Sequence, residues 1–199
     1  MNETIVLGSE NPFVGALLKN AGITVEMMAD DLDERAMAAP LEDTGAPPED
    51  IAHIWAEAKA TDVSGRRPGV LVLGCEQTLS LNNEILYAPA DTDEAVRRLL
   101  LLSGKTHQVS SAAVLARDGV VVWRNVDVAY LTMCKLDPGF IGRYLSRVGA
   151  EALQHAGVYR IDGEGIQLFE KIQGDYFTIA GISLLPLLAE LRRIQAIDC

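Results

Sequence analysis

The sequence predicts a mixed α/β fold with a central mixed sheet, a long β-hairpin and a cleft between two lobes. Three patterns support this prediction. The chain opens with a strand, a helix and a second strand; two β-rich runs are joined through Asp118-Gly119; and apolar segments with helical spacing follow. Asp-Gly between β-rich runs is the strongest short-range indication of a hairpin. At 199 residues the chain can bury one sizeable core, so we expect a single domain over residues 1–199.

The first half of the chain alternates strands and helices. A β-branched run leads into Gly8, and Asn11 and Pro12 then provide an N-cap and a proline at the first helical position. A continuous apolar run before Gly74 is typical of a central strand buried on both faces. The predicted strands are 4–7, 23–27 and 70–73, and the predicted helices run from Pro12 to the turn at Gly22 and over 49–61.

The second half of the chain contains the hairpin between helices. A helix begins at Thr92, where two acidic residues complement the helix dipole, and ends before Gly104. The last helix places four leucines at helical spacing, which indicates a core-facing side. The predicted helices are 92–102, 138–148 and 182–193, and the hairpin strands are 109–116 and 120–133.

Composition excludes several classes of function. A net charge of −11 argues against nucleic-acid and anionic-membrane partners, because both draw affinity from Lys and Arg. The longest apolar run, 179–189, is shorter than the roughly 20 residues of a membrane span. Three cysteines without CxxC spacing favour a reducing compartment, and the N-terminus lacks a signal-peptide pattern. We therefore expect a cytoplasmic protein.

Four segments of the chain occur in an order that points to one family. They are Gly104-Lys105-Thr106-His107, Ala156-Gly157-Val158-Tyr159, Gly163-Glu164-Gly165 and Ile172-Gln173-Gly174-Asp175-Tyr176. In this order the chain resembles the Maf (septum-formation inhibitor-like) nucleoside triphosphate pyrophosphatases over nearly its full length. The resemblance implies the two-lobed Maf and inosine-triphosphatase-like fold.

The resemblance also implies an activity: hydrolysis of a nucleoside triphosphate to the monophosphate and pyrophosphate with a divalent cation, Mg²⁺ or Mn²⁺. A nucleoside triphosphate is then the partner, and a homodimer is compatible with the family. The implied catalytic residues are Glu76, at the position of the family's aspartate, with Lys59 and Lys105 stabilising developing charge. The implied metal ligands are Asp33, Glu34 and Glu76, and the implied substrate-binding residues are Ser9, Gln77, His155 and Asp162. Gln77 and the segment at His155 resemble the 7-methyl-GTP pyrophosphatase branch more than the dTTP/UTP branch.

Several positions depart from the family pattern. The family's phosphate-facing arginines near the first helix are replaced by Phe13 and Val14. Ala88 stands where the family has a lysine, and Gln154 where many members have an aspartate. These changes remove charge from a phosphate site, so the alternative is a catalytically degenerate relative that binds a nucleotide or a protein without turnover.

For some candidate residues an ordinary structural role competes with the functional one. Ser9 fits a capped helix as well as a residual phosphate loop, and Asp162 fits a turn before a glycine as well as a base-recognition site. On spacing alone, the acidic segment at Asp33 is more often surface charge than a metal site. His107 is typical of a structural residue satisfied by the backbone, and Cys75, without a companion thiol, of a buried inert cysteine.

Overall fold

The computed structural model describes residues 4–9, 12–32 and 45–198. Its strands are β1 (Ile5–Leu7), β2 (Val25–Met27), β3 (Leu71–Leu81), β4 (Glu84–Leu86), β5 (Thr106–Arg117), β6 (Val120–Met133) and β7 (Phe169–Gln173). Its α-helices are α1 (Pro12–Asn20), α2 (Pro48–Arg66), α3 (Thr92–Leu102), α4 (Pro138–Val148), α5 (Tyr176–Ala180) and α6 (Leu184–Arg193). Two 3₁₀ helices, Gly149–Gln154 and Glu164–Leu168, lie between α4 and β7.

The strands form one seven-stranded sheet in the order β2-β1-β3-β5-β6-β7, with β4 paired to β3. β1 runs parallel to β2 and β3, and the remaining pairs are antiparallel. The predicted central mixed sheet and long hairpin are therefore confirmed. Asp118 and Gly119 both have positive φ, 52° and 75°, as a type I′ hairpin turn requires.

Helices cover both faces of the sheet. Ile5 and Leu7 belong to an apolar cluster with α1 and α6, whereas Val6 packs against Val63 of α2. The alternation follows from the two-residue period of a strand. α2 consequently lies on the opposite face of the sheet from α1 and α6, and along β3 the even-numbered residues face α2.

The central strand extends beyond its predicted end. The sequence indicated a strand that stops at Leu73, but β3 continues to Leu81. The strand continues because β5 remains its hydrogen-bonded neighbour from Val72 to Ser80 after β1 has ended. Glu76 and Gln77 therefore lie inside a strand and not in the loop that follows it.

The other predicted elements agree with the structure to within a few residues at their ends. α3 and α4 have the predicted bounds, and α2 is longer than predicted because Val63 and Ser64 are buried and continue the helical contact. The short elements β4, β7 and α5 and the two 3₁₀ helices were not predicted. In the described part of the chain, no helix combines the length and apolar character needed to cross a membrane.

Candidate functional site

A cavity of about 470 Å³ opens beside β3, at a gap where one side of this strand has no neighbouring strand in the described part of the chain. β1 pairs with β3 only as far as Leu73, and β4 pairs with β3 only from Leu79. β5 occupies the other edge of β3 throughout, so both β1 and β4 lie on the same side. Between them the strand has no neighbour on this side among the described residues, and Glu76, Gln77 and Thr78 line the cavity there.

A partly buried ion pair lies in this gap. Lys59 of α2 donates from Nζ to Oε2 of Glu76 at 2.7 Å, and the Lys59 residue is only 8% exposed. The second oxygen, Oε1, accepts from the backbone N–H of Gln77 at 2.9 Å. The Glu76 side chain is 21% exposed, so its carboxylate remains accessible from the cavity. The carboxylate is held in one orientation beside the cavity.

Gly74 explains how α2 comes close enough to form this pair. A Cβ atom at Gly74 would lie 2.2 Å from the carbonyl oxygen of Ala56 and 2.6 Å from the backbone nitrogen of Ala60. Only glycine permits this approach of helix to strand. The close contact places Lys59 directly over the next residue on the same face of β3, which is Glu76.

Gln77 points to the other face of the sheet and has a structural task. Its amide nitrogen donates to the carbonyl oxygens of Thr178 and Ile179 in α5, at 2.8 and 3.2 Å. Since both donor hydrogens are used, the side chain can offer a ligand only its carbonyl oxygen. Gln77, an implied substrate-binding residue, can therefore act toward a ligand only as an acceptor, and it also anchors α5.

The opposite side of the cavity is formed by Phe13 and residues 154–162. The guanidinium carbon of Arg160 lies 4.2 Å from the centroid of the Phe13 ring, and the His155 ring lies 5.3 Å from it. Arg160 donates from Nε to Asp162 at 2.9 Å and also forms an ion pair with Glu151. Asp162, a predicted base-recognition residue, is thus bound to an arginine of the same cavity.

The charge states on this side follow from these contacts. The Arg160 hydrogen bonds hold the pKa of Asp162 below its ordinary range, so Asp162 is a carboxylate at neutral pH. Burial, followed by the nearby Arg160 charge, lowers the pKa of His155 below its ordinary 6.5. At neutral pH His155 is therefore a neutral ring and not a cation. Its Nε2 atom is buried and has no hydrogen-bond partner among the residues described.

Three predicted residues lie elsewhere in the described structure or outside it. Lys105 is exposed and lies just before β5. Glu76 pairs with Ala112 of β5, which is seven residues further along the chain than Lys105. At the rise per residue of a strand, Lys105 and Ala112 are about 23 Å apart. The structure does not bring Lys105 to the cavity. Asp33 and Glu34 lie outside the described residues, and within the described ranges no group of three or more His, Cys, Asp or Glu could hold a metal ion.

Ser9 follows β1 at the sheet end where the gap begins. The preceding residue, Gly8, donates its N–H to the carbonyl oxygen of Leu73 at 2.8 Å, which keeps the chain beside β3 for one more residue. Ser9 is half-buried and is not among the residues lining the cavity. It lies next to the site without contributing to its surface.

Two residues interpreted as structural behave as such. His107 is buried, and its Nε2 is 2.7 Å from the hydroxyl of Tyr159, so a side chain and not the backbone satisfies this nitrogen. Burial lowers the pKa of His107 to about 4. Cys75 is buried with its pKa raised to about 12, first by desolvation and then by the charge of Glu76, which leaves the thiol unreactive at neutral pH.

Sequence reasoning missed Arg160 and Trp55, which both line the cavity. Arg160 lies two residues before Asp162, a predicted substrate-binding residue. This spacing allows an arginine to pair with the carboxylate, and it could have indicated Arg160 as a site residue. Trp55 lies in the predicted helix 49–61, and helical spacing alone does not distinguish a core residue from one that lines a cavity.

Comparison with known proteins gives consistent results. A family model described as Maf-like protein matches residues 4–194. A protein of Mesorhizobium japonicum named 7-methyl-GTP pyrophosphatase is 63% identical over 198 residues, covering 100% of both chains. A protein of Brucella abortus biovar 1 with the same name is 59% identical, again over 100% of both chains.

Proposed function

Because the chain belongs to the Maf-like protein family, we propose that it is a nucleoside triphosphate pyrophosphatase whose substrate is 7-methyl-GTP, the nucleotide in the names of its relatives. The observation that carries this proposal is the Lys59–Glu76 pair at the open edge of β3. It places the Glu76 carboxylate on the wall of a cavity large enough for a nucleotide, with the Lys59 cation hydrogen-bonded to it from α2.

The reaction assigns separate tasks to the two members of the pair. Glu76 orients a water molecule and takes its proton as the water attacks phosphorus at the α–β anhydride. The anhydride bond breaks, and pyrophosphate leaves with the bonding electrons. Lys59 stabilises the negative charge that develops on the phosphoryl oxygens. The fixed orientation of Glu76 by Lys59 and by the Gln77 N–H reduces the reorganisation needed during the reaction.

A divalent cation is compatible with the donor set at Glu76. A carboxylate offers about four lone-pair positions, and two are used by Lys59 and the Gln77 N–H. Mg²⁺ commonly binds one or two protein carboxylates and completes its shell with water and phosphate oxygens. Bound there, the ion would neutralise phosphate charge and polarise the phosphoryl group.

The substrate base belongs on the opposite side of the cavity in this proposal. His155 supplies a neutral ring nitrogen and Asp162 a carboxylate, whereas Phe13 already holds the Arg160 guanidinium over its ring. A carboxylate can accept hydrogen bonds from the N–H edge of a guanine, and its negative charge attracts a cationic base. These properties suit 7-methylguanine, whose ring carries a positive charge.

The test is pyrophosphate release from 7-methyl-GTP, GTP, dTTP and UTP with Mg²⁺, by the native chain and by Glu76→Gln. We expect 7-methyl-GTP to be the preferred substrate and Glu76→Gln to lower kcat by about 100-fold or more, because the amide cannot accept the water proton. Glu84→Gln, an exposed carboxylate of β4 outside the cavity lining, is the matched control and should retain full activity. Nucleotide binding without turnover by the native chain would instead identify a binding protein.

A further inference from the structure

Trp55 of α2 is one of the residues that line the cavity, and its side chain carries a donor-only polar group. The indole nitrogen is buried, and within the described part of the chain it has no hydrogen-bond partner. Indole N–H is a donor only, and a buried donor without an acceptor destabilises the folded state. An acceptor atom on a ligand in the cavity would remove this cost.

The position of Trp55 along α2 places it near the reacting groups. It precedes Lys59 by four residues, so the two side chains lie on the same side of the helix, one turn apart. α2 runs antiparallel to β3: Thr78 donates from its hydroxyl to the carbonyl oxygen of Pro48, whereas Gly74 contacts Ala56 and Ala60. Trp55 is therefore level with the part of β3 that lines the gap.

We propose that the Nε1–H group of Trp55 donates a hydrogen bond to a phosphoryl oxygen of the bound nucleotide. This inference rests on the nucleotide-binding function proposed above. A donor beside Lys59 is suited to an anion, and a donor-only group cannot accept from the N–H edge of a base. The cavity needs such donors: Phe13 and Val14 replace the two arginines of the phosphate loop, and Arg160 is already bound to Asp162 and Glu151.

The chain has two tryptophans, which makes the contact directly observable. Trp123 lies on β6, packs beside the α1 and α6 cluster and does not line the cavity. A ¹H–¹⁵N spectrum of the native chain should show two indole resonances, and the spectrum of Trp123→Phe assigns them. On titration with the α,β-methylene analogue of 7-methyl-GTP and Mg²⁺, the Trp55 indole proton should move downfield. The matching 7-methylated guanosine, which lacks phosphates, should leave it in place.

The matched variants measure the strength of the contact by calorimetry. Trp55→Phe keeps an aromatic ring and removes the N–H, so the Kd for the analogue should rise roughly tenfold or more, as for a lost hydrogen bond to a charged group. Trp123→Phe should leave Kd unchanged. Circular dichroism checks that both variants fold. The resonance experiment is made on the native chain and needs only Trp123→Phe, for the assignment.

Distinct outcomes separate this inference from the pyrophosphatase proposal. Binding of the analogue without movement of the Trp55 resonance overturns the inference alone, and so does an equal shift with the 7-methylated guanosine, which would indicate a contact to the base or ribose. A downfield shift in a protein that releases no pyrophosphate supports the inference and contradicts the proposed catalysis. Absence of any nucleotide binding overturns both.

Discussion

The two sides of the cavity are built by different means. The sheet side, formed by α2 and β3, carries Lys59 and Glu76 on regular elements whose separation is fixed by backbone contact at Gly74. The turn side, formed by residues 154–162, begins at the last residue of a 3₁₀ helix and continues as turns and irregular chain. Groups that react must be held within a fraction of an ångström, and regular elements achieve this better than loops.

The turn side is held by side chains. Tyr144 donates from its hydroxyl to the carbonyl oxygen of Val158 at 2.9 Å. The Nε2 atom of His107 is hydrogen-bonded to the hydroxyl of Tyr159 at 2.7 Å. Arg98 of α3 donates to the carbonyl oxygens of Tyr87 and Ala156, which ties the segment after β4 to the turn side. Single substitutions can remove such side-chain contacts one at a time. Substrate preference can therefore vary on the turn side while the Lys59–Glu76 pair stays in place.

The largest effect is expected from Gly74→Ala, which breaks the sheet side. The new Cβ would overlap backbone atoms of Ala56 and Ala60. Backbone in a helix cannot move away as a flexible side chain can, so we expect a loss of about 3 kcal/mol or more in the free energy of unfolding. Urea denaturation measures the loss, and kcat should fall with it because Lys59 is displaced.

Gly65→Ala on the same helix is the control for this substitution. Nothing lies within 4 Å of a Cβ at Gly65, and the residue is exposed. Alanine there should be neutral or raise stability by up to about 1 kcal/mol, since glycine has the greater backbone freedom to lose. Equal behaviour of the two variants would contradict the idea that close approach at Gly74 fixes the sheet side.

An intermediate effect is expected on the turn side when the pH falls. Burial lowers the pKa of His107 to about 4, against an ordinary value of 6.5. Between these values the unfolded chain binds more protons than the folded one, so stability decreases as pH decreases. From pH 7.5 to 5 we expect His107 to account for a loss of about 2 kcal/mol in the free energy of unfolding. Denaturant titrations at the two pH values measure it.

His107→Gln should remove most of that pH-dependent loss, because glutamine does not titrate. His53→Gln is the matched control: His53 lies on α2 near Glu57 and is outside the cavity lining. His155, whose pKa is also lowered, contributes a further loss in the same direction. An unchanged pH dependence in His107→Gln would mean that the buried imidazole is accommodated when charged, and that the turn side is more adaptable than its contacts indicate.

The β-hairpin was predictable from sequence, and the contacts that build the two sides of the cavity were not. Apolar runs and the Asp118-Gly119 turn predicted the hairpin, since strand period and turn chemistry are local properties. The family resemblance implied Lys59 and Glu76 as catalytic residues, but the physical cause of their pairing, the contact at Gly74, is a tertiary feature that spacing cannot reveal.

The extent of β3 also depended on a distant partner. Apolar character alone predicts a strand that ends at Leu73. Pairing with β5 extends this strand through the polar residues that follow. The turn side lacks any periodicity, so the stacking of Arg160 on Phe13, far apart in sequence, had no local signal. In both cases tertiary contacts, and not the local sequence pattern, determine the structure.

The smallest effect is expected from Arg160→Met, which alters the turn side without unfolding it. The ion pairs of Arg160 are largely solvent-exposed, and such pairs and an exposed cation–π contact each contribute about 1 kcal/mol or less. Stability should therefore change little. Asp162 loses the arginine that holds both of its oxygens in position to accept from the base, so KM should rise about three- to tenfold with kcat nearly unchanged.

Arg147→Met separates this local effect from the general change in charge. Arg147 forms an ion pair of the same kind with Glu164 at 2.6 Å, and neither residue lines the cavity. Both substitutions remove one positive charge, so long-range electrostatics change alike. If only Arg160→Met raises KM, the turn side governs substrate binding. A fall in kcat in Arg160→Met, or an equal rise of KM in Arg147→Met, would show that the two sides do not divide reaction from recognition.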